Sequence, residues 1–408
     1  MGVKSYFLIN SLAGGGAERQ VSLLIGHLNV DKIICLFNEQ NYPVKVEKRI
    51  FLFPRLYQNS LIRFLLVPFM LLRLKKQIRP DRNTHLVSFL QLSNIVGLCC
   101  KLIWKCRLTV SIRTTTSLYY KIYNVGRITR FLDKQIFRHA DLLVTNSEGS
   151  KQDLIRQFGI KEEKIRVIVN TYDVGEISRL KAVPFDDPAM DTLFHNYKII
   201  LTVGRLAIEK GLDHALKIFR QVKETEPLAR YVVIGHGPEK ERLITTAKEL
   251  GLRVYVAGNE ATLSPEDYDV FFLGFLNNPY RYCYRARLFM FPSLFEGMPN
   301  ALAECFICGT ICVSADCQSG PREILSNAGN EATLAYPHFE FGYLMPVFGA
   351  YEPRTSLDST EDIWAGVIID ILQNKGLQMS ETAYLEKVAQ FKKENVLKKW
   401  EDVVDLSS

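Results

Sequence analysis

The chain predicts two α/β domains, each a doubly wound parallel sheet with helices on both faces. Three observations carry that expectation. The length, 408 residues, is more than one hydrophobic core ordinarily organises. Apolar strand-like runs alternate with helical patterns along nearly the whole sequence, and one stretch near the middle has neither pattern. The hydrophobic fraction is 47%, the charged fraction 23% and the mean hydropathy close to zero. Such values belong to a chain that buries a core, and they set aside disordered and fibrous classes.

In the first half the strand-like runs are KSYFLIN (4–10), KIICLF (32–37), THLVSFL (84–90), RLTVSIR (107–113) and DLLVTNS (141–147). In the second they are YKIILTV (197–203), RYVVIG (230–235), VFFLGF (270–275), LFMFPS (288–293) and TICVSAD (310–316). Strands separated by helical segments read as βαβ units with crossover helices. Residues 174–196 carry Pro184, Pro188 and the adjacent Asp186 and Asp187 without a clean period, which reads as a linker centred near Pro184. The expected division is a first domain over 1–180, a linker over 181–196, a second domain over 197–380, and one or two terminal helices over 381–408, where apolar residues recur at helical spacing. In sheets of this kind ligands bind outside the carboxyl ends of the strands, so chemistry is expected in the loops there.

The apolar run at the start, Tyr6 to Ile9, is too short for a signal-peptide core, so a cytoplasmic protein is expected. Nine cysteines sit mostly inside apolar segments without histidine at zinc-like spacing, and buried reduced thiols are expected. The net charge of +7 is unevenly spread: residues 1–180 hold 28 Lys and Arg against 13 Asp and Glu, and residues 181–408 hold 23 against 31. So basic a first half points to an anionic partner, whether membrane surface, phosphorylated acceptor or nucleic acid. No module interleaving aromatic and basic residues is present, and nucleic acid is set aside. The segment from Leu61 to Arg79 has an apolar core from Phe64 to Leu72 flanked by Arg63, Arg73, Lys75, Lys76 and Arg79. It is too short to span a bilayer. It reads either as a helix lying among anionic headgroups or as a domain helix with a solvated basic end.

Five loops carry candidate chemistry. Gly14, Gly15 and Gly16 follow the first strand and open a helix whose amides face an anion. In the second half Gly204 ends a strand and is followed by Arg205 and Lys210, two cations able to converge on a diphosphate. Gly235, His236 and Gly237 end the next strand, with His236 read as a loop residue near a ligand. The turn at Gly274 and Phe275 presents backbone to the edge of a flat base. The densest run is Glu296, Gly297, Met298, Pro299, Asn300, Ala301, Leu302 and Glu304. Pro299 suits a first helical turn, so Glu304 lies along a helix and Glu296 before it. Eight helical residues rise about 12 Å, too far for a close acid pair, so each carboxylate grips a different part of one long ligand.

The runs GGGAER (14–19), TNSEGSKQDL (145–154), VIVNTYDV (167–174), TVGRLAIEKG (202–211), VVIGHGP (232–238), FLGFLNNP (272–279) and SLFEGMPNALAE (293–304), taken together and in order, resemble glycosyltransferase family 4, retaining enzymes of the two-domain GT-B type. SADCQSGPREIL (314–325) is similar to bacterial members that build lipopolysaccharide, capsule or polyprenyl-linked oligosaccharides. The resemblance implies a cleft between two Rossmann-like domains. It assigns Glu304 to the ribose hydroxyls, Glu296 to the donor sugar, and Arg205 with Lys210 to the diphosphate. It brings Gly14 to Gly16 to that diphosphate from the first domain and has backbone near Phe275 read the base, usually uracil. The reaction implied is front-face displacement, with a nucleotide sugar as donor, a lipid-linked or cell-surface glycan as acceptor and no cofactor. Cations and amides replace an Asp-x-Asp-bound metal, so no metal site is expected. The place expected on this basis is the cytoplasmic face of the inner membrane. One departure concerns the first domain, where many members carry a histidine and this chain reads Ser111 to Ser117. Arg113, and more weakly Asn94, are the acceptor-side candidates there. The alternative reading is a GT-B sugar-nucleotide epimerase, or a synthase with a soluble acceptor.

Overall fold

The computed structural model describes residues 3–13, 15–40, 46–57, 59–258, 263–329, 332–349, 356–376 and 380–405. The chain divides into two compact units: Met1–Tyr172 with Phe391–Ser408, and Asp173–Gln390.

The first unit is built on a seven-stranded sheet of β1 (Lys4–Ile9), β2 (Lys32–Phe37), β3 (Arg49–Phe53), β4 (Thr84–Phe89), β5 (Arg107–Ile112), β6 (Leu142–Thr145) and β7 (Ile165–Val167). Their order is β3-β2-β1-β4-β5-β6-β7 and every pairing is parallel. Both faces are covered, as a parallel sheet requires. Side chains alternate with the pleat. Leu8, Leu86, Leu108 and Val110 pack against Met70, Leu74, Val96, Ile136 and Phe137 on one face. Phe7, Ile9, Val87, Phe89 and Val144 pack against Val21, Leu24 and Ile25 on the other, together with Val396, Trp400, Val403 and Val404.

The second unit is built on β8 (Lys198–Val203), β9 (Ala229–Ile234), β10 (Val254–Val256), β11 (Val270–Gly274), β12 (Leu288–Phe291), β13 (Cys312–Ala315), β14 (His338–Phe339) and β15 (Tyr343–Met345). The order is β10-β11-β9-β8-β12-β13-β15-β14, parallel except for β14 against β15. One face buries the helices Leu212–Thr225 and Ser359–Leu372 through Ile218, Phe219, Trp364 and Ile368. Between those helices Glu361 accepts from Lys217 Nζ at 2.7 Å and lies 2.7 Å from His214 Nδ1, all three buried.

Two boundaries differ from expectation. The stretch 181–196 is not a linker but the end of the helix Val174–Lys181 and the whole of Pro188–Asn196. Asp187 caps the latter, accepting from Ala189 N at 2.9 Å, and Pro188 opens it, so residues that read as a loop form a helix start. Phe185 and Phe194 pack on Tyr282 at 4.8 and 5.5 Å. The terminal helices also part company: Glu381–Ala389 belongs to the second unit and Lys393–Val404 to the first. Trp400 lies 6.2 Å from the Phe7 ring and 6.0 Å from Phe89. Pattern alone shows that such a helix exists, not which core it fills.

The segment Leu61 to Arg79 forms two helices, Ser60–Leu65 and Val67–Ile78. Val67, Met70 and Leu74 are buried, whereas Leu61, Phe64, Leu65, Phe69 and Leu72 are exposed. Eight of the nine cysteines are buried.

Candidate active site

In the second sheet the chain runs outward from β8 in both directions, so the order reverses between β8 and β12. At such a switch point the loops leaving the two strands diverge and open a crevice at their carboxyl ends. The loop after β8 carries Arg205 and Lys210, and the loop after β12 carries Glu296. The backbones are close. A Cβ on Gly235 would stand 1.7 Å from Gly204 O, so only glycine lets the β8 and β9 loops touch. Gly211, at φ +61, lies where a Cβ would meet Pro292 O at 2.3 Å. Leu206 N donates to His236 O at 3.1 Å, and Leu294 N to Glu209 O at 2.8 Å.

These ties put Lys210 Nζ 2.5 Å from Glu296 Oε1, with the Phe291 ring 5.6 Å from the ammonium. Burial works against the charge on Lys210, but the Glu296 carboxylate, helped by Glu209 and Cys317, outweighs it and raises the pKa above its ordinary value. The cation is therefore fixed at neutral pH. Arg205 is exposed and makes no ion pair among the described residues. Gly235 and Gly237 are half-buried and His236 is exposed. Phe275 is 69% exposed, just beyond Gly274 at φ +71.

After Glu296, Gly297 O accepts from Ser319 Oγ at 2.9 Å. Met298 is buried, and Pro299 is the N-cap of the helix Asn300–Cys308, which no side chain caps. Ala301 and Leu302 lie in its first turn. Glu304, 5% exposed, stands one turn further along. The loop after β13 is held by Arg322, whose Nε bonds Asp316 Oδ1 at 3.0 Å, and by Tyr336 OH at 2.6 Å from Asp316 Oδ2. Gly211, Phe291 and Ser319 were not singled out by sequence. The signal for Ser319 was the Ser-Gly-Pro punctuation of 319–321.

In the first unit Gly15 is the N-cap of the helix Gly16–Ile25. A Cβ there would meet Glu18 Oε2 at 2.3 Å, so the Glu18 carboxylate curls back over the turn. Gly14 lies outside the described residues. Asn94 is buried and accepts from Ser88 Oγ at 2.8 Å, an interior tie between helix and sheet. Arg113 leaves the end of β5 and donates to Asn170 Oδ1.

The expectation of metal independence takes the chain to lack an Asp-x-Asp, and it has one, Asp267-Tyr268-Asp269. It precedes β11, at the opposite end of that strand from the crevice. Asp269 is engaged by Arg253 Nε at 3.0 Å and Lys223 Nζ at 3.2 Å. That is a structural ion-pair cluster.

Two parallel-sheet units, the second with a lysine held against a carboxylate in the loops at its switch point, have the architecture of a glycosyltransferase of the GT-B class. Residues 14–176 match the family described as Glycosyltransferase Family 4, and residues 187–338 match Glycosyl transferases group 1. The chain is 32% identical over 325 residues, 78% of its length and 82% of the relative's, to the N-acetylgalactosamine-N,N'-diacetylbacillosaminyl-diphospho-undecaprenol 4-alpha-N-acetylgalactosaminyltransferase of Campylobacter jejuni. An uncharacterized glycosyltransferase of Methanocaldococcus jannaschii is 23% identical, covering 94% of this chain and 90% of its own. Anabaena HepE, solved with UDP and glucose, has the same fold at a TM-score of 0.72 and 17% identity, covering 99% of this chain and all of its own. The chain belongs to glycosyltransferase family 4.

Proposed function

We propose that the protein moves a sugar from a UDP-sugar to a hydroxyl of a lipid-linked or cell-surface glycan, with retention of anomeric configuration and without a divalent ion. The observation that carries this reading is the Lys210–Glu296 pair at the switch point, 2.5 Å apart. A cation fixed there neutralises charge as the diphosphate departs, the main electrostatic task of the reaction. Arg205, exposed nearby in the same loop, adds a second cation. The amides of the Asn300–Cys308 helix face the same anion. Glu296 then holds donor-sugar hydroxyls and Glu304 the ribose, while Gly235, His236, Gly237 and the backbone near Phe275 surround the nucleotide.

In this scheme the acceptor hydroxyl attacks the anomeric carbon from the face the diphosphate leaves. The carbon–oxygen bond to the diphosphate breaks as the new glycosidic bond forms, and the hydroxyl proton passes to the departing phosphate oxygen. The Campylobacter relative's name specifies a diphospho-undecaprenol acceptor and an alpha linkage, and HepE was solved with UDP. Both support the choice of donor and acceptor class. The excess of basic residues in 1–180 suits an anionic acceptor held at the cytoplasmic face of a membrane.

A panel of UDP- and GDP-sugars offered with a polyprenyl-diphosphate-linked saccharide, with and without EDTA, tests the whole reading by product mass and anomeric coupling. Activity is expected to survive the chelator. Glu296→Gln and Lys210→Ala are each expected to lower kcat by about 10²- to 10³-fold, as removal of a transition-state charge contact does. Transfer at full rate in both variants sinks the assignment.

A further inference from the structure

Beside the end of the first sheet lies a second group of polar side chains, distinct from the crevice of the second unit. Arg113 follows β5, Asn146 follows β6, and Asn170 and Thr171 follow β7. The Arg113 guanidinium donates through Nη2 to Asn170 Oδ1, and Asn146 Nδ2 donates to Arg113 O at 3.4 Å. Gln20 clamps the Thr171 backbone, accepting from Thr171 N at 2.7 Å and donating to Thr171 O at 3.0 Å. That clamp consumes Gln20 and leaves the Thr171 hydroxyl to find another partner.

It finds none. Thr171 Oγ1, Ser111 Oγ, Asn146 Oδ1 and Arg113 Nη1 are all shut away from solvent without a hydrogen bond among the described residues. Ser111 and Thr171 are 2% exposed and Asn146 1%. Native interiors leave few polar atoms unpaired, and each one asks for an explanation. Four such atoms at the carboxyl ends of the adjacent strands β5, β6 and β7, one of them on a guanidinium, point to a missing ligand. No carboxylate pairs with Arg113 among the described residues. Burial pulls its pKa down to about 10 against an opposing pull from Tyr172. Water would satisfy the hydroxyls but leave the half-buried guanidinium, whose Nη1 is shut from solvent, without a countercharge, which is costly.

We infer that the first unit holds a phosphoryl oxyanion at Arg113, with Ser111 and Thr171 as hydroxyl donors. Asn146 Oδ1, an acceptor, takes a hydroxyl of the sugar esterified to that phosphate. The fork of a guanidinium matches two phosphoryl oxygens. The choice of phosphoryl over other oxyanions rests on the proposed lipid-diphosphate acceptor, although the donor's diphosphate offers the same chemistry.

The test is calorimetric titration of the full chain with inorganic diphosphate, with and without saturating UDP, so that the crevice of the second unit is filled in one arm. Binding to UDP-saturated wild type that weakens about tenfold or more in Arg113→Met, the loss of one charge-assisted fork, establishes the site as one for the acceptor. Arg113-dependent binding that UDP abolishes establishes the same site as one for the donor's phosphates. Thr171→Val, nearly isosteric, weakens binding in either case and guards against a misfolded arginine variant. Arg113→Met is also expected to melt no lower than wild type, because it removes an uncompensated charge; a purely structural arginine would lower the midpoint. Diphosphate affinity indifferent to both substitutions in both arms, or no binding in either, overturns the inference. A protein that binds diphosphate through Arg113 yet transfers no sugar would overturn the proposed function and leave this site standing.

Discussion

His85 is 1% exposed and sits 2.9 Å from Thr109 Oγ1 through its Nε2. Burial, with Arg107, lowers its pKa to about 4 against opposing pulls from Asp141 and the Val404 carbonyl. The folded state thus keeps the ring neutral where the unfolded chain, titrating near 6.5, is already protonated. The first unit is fully supported above pH 6.5 and loses stability as pH falls toward 4, by about 3 kcal/mol for a shift of this size. Urea denaturation at stepped pH should record that slope, and His85→Gln should flatten it. Glu361 in the second unit behaves differently. Burial opposes its charge, but hydrogen bonds from His214 and Lys217 win and lower its pKa to about 2, so its contribution is lost only as pH falls from about 4.5 toward 2. At this scale the sequence picked out Glu296 and Lys210 by residue type and spacing, and the fold brings the two within 2.5 Å of each other. It gave Ser111, Asn146 and Thr171 no role of their own, although they lie in stretches it singled out, because ordinary polar residues become a site only when folding removes their alternative partners.

Among elements, the helices Ser60–Leu65 and Val67–Ile78 pack one face on the core and leave the other exposed. Val67, Met70 and Leu74 fill the core, while Leu61, Phe64, Leu65, Phe69 and Leu72 remain outside. Leu72, Lys75, Lys76, Arg79, Pro80 and Trp104 line a shallow cavity of about 470 Å³, which joins this surface to the end of the helix Gln91–Trp104, where Leu102 and Ile103 are also exposed. An apolar surface rimmed by cations suits the headgroup layer of an anionic bilayer. Flotation with liposomes containing anionic lipid should carry the protein upward at low salt, less so at high salt, and Leu65→Ser with Phe69→Ser should abolish it. A wild-type protein that never floats removes the membrane from the proposed function. Strands were legible by the same logic of burial. The ten read from sequence include every inner strand that both neighbours enclose except β15, whereas β3, β7, β10 and β14 lie at sheet edges. Edge strands such as Ile165–Val167 are short and half wetted, and they lack the continuous apolar run that marks a buried one.

Across the whole molecule, the two-domain architecture was legible but its cuts were not. The proline- and aspartate-rich stretch read as a linker because caps and turns share a composition. The path of the chain is the larger correction: it leaves the first unit after Tyr172 and returns at Phe391, where Tyr172 N donates to Phe391 O at 3.3 Å. Trp400, on the returning helix, is 1% exposed. Trp400→Ala is expected to cost the first unit about 3–5 kcal/mol, and two-transition calorimetry should show the lower midpoint in that unit alone.

That return path also sets an order of events during synthesis. The ribosome completes all of 173–390 before it makes the helix that roofs one face of the earlier sheet. The second unit is contiguous and can close as it emerges. Until then Phe7 and Phe89 wait uncovered, so nascent chains stalled between residues 200 and 390 are the ones that chaperones should hold.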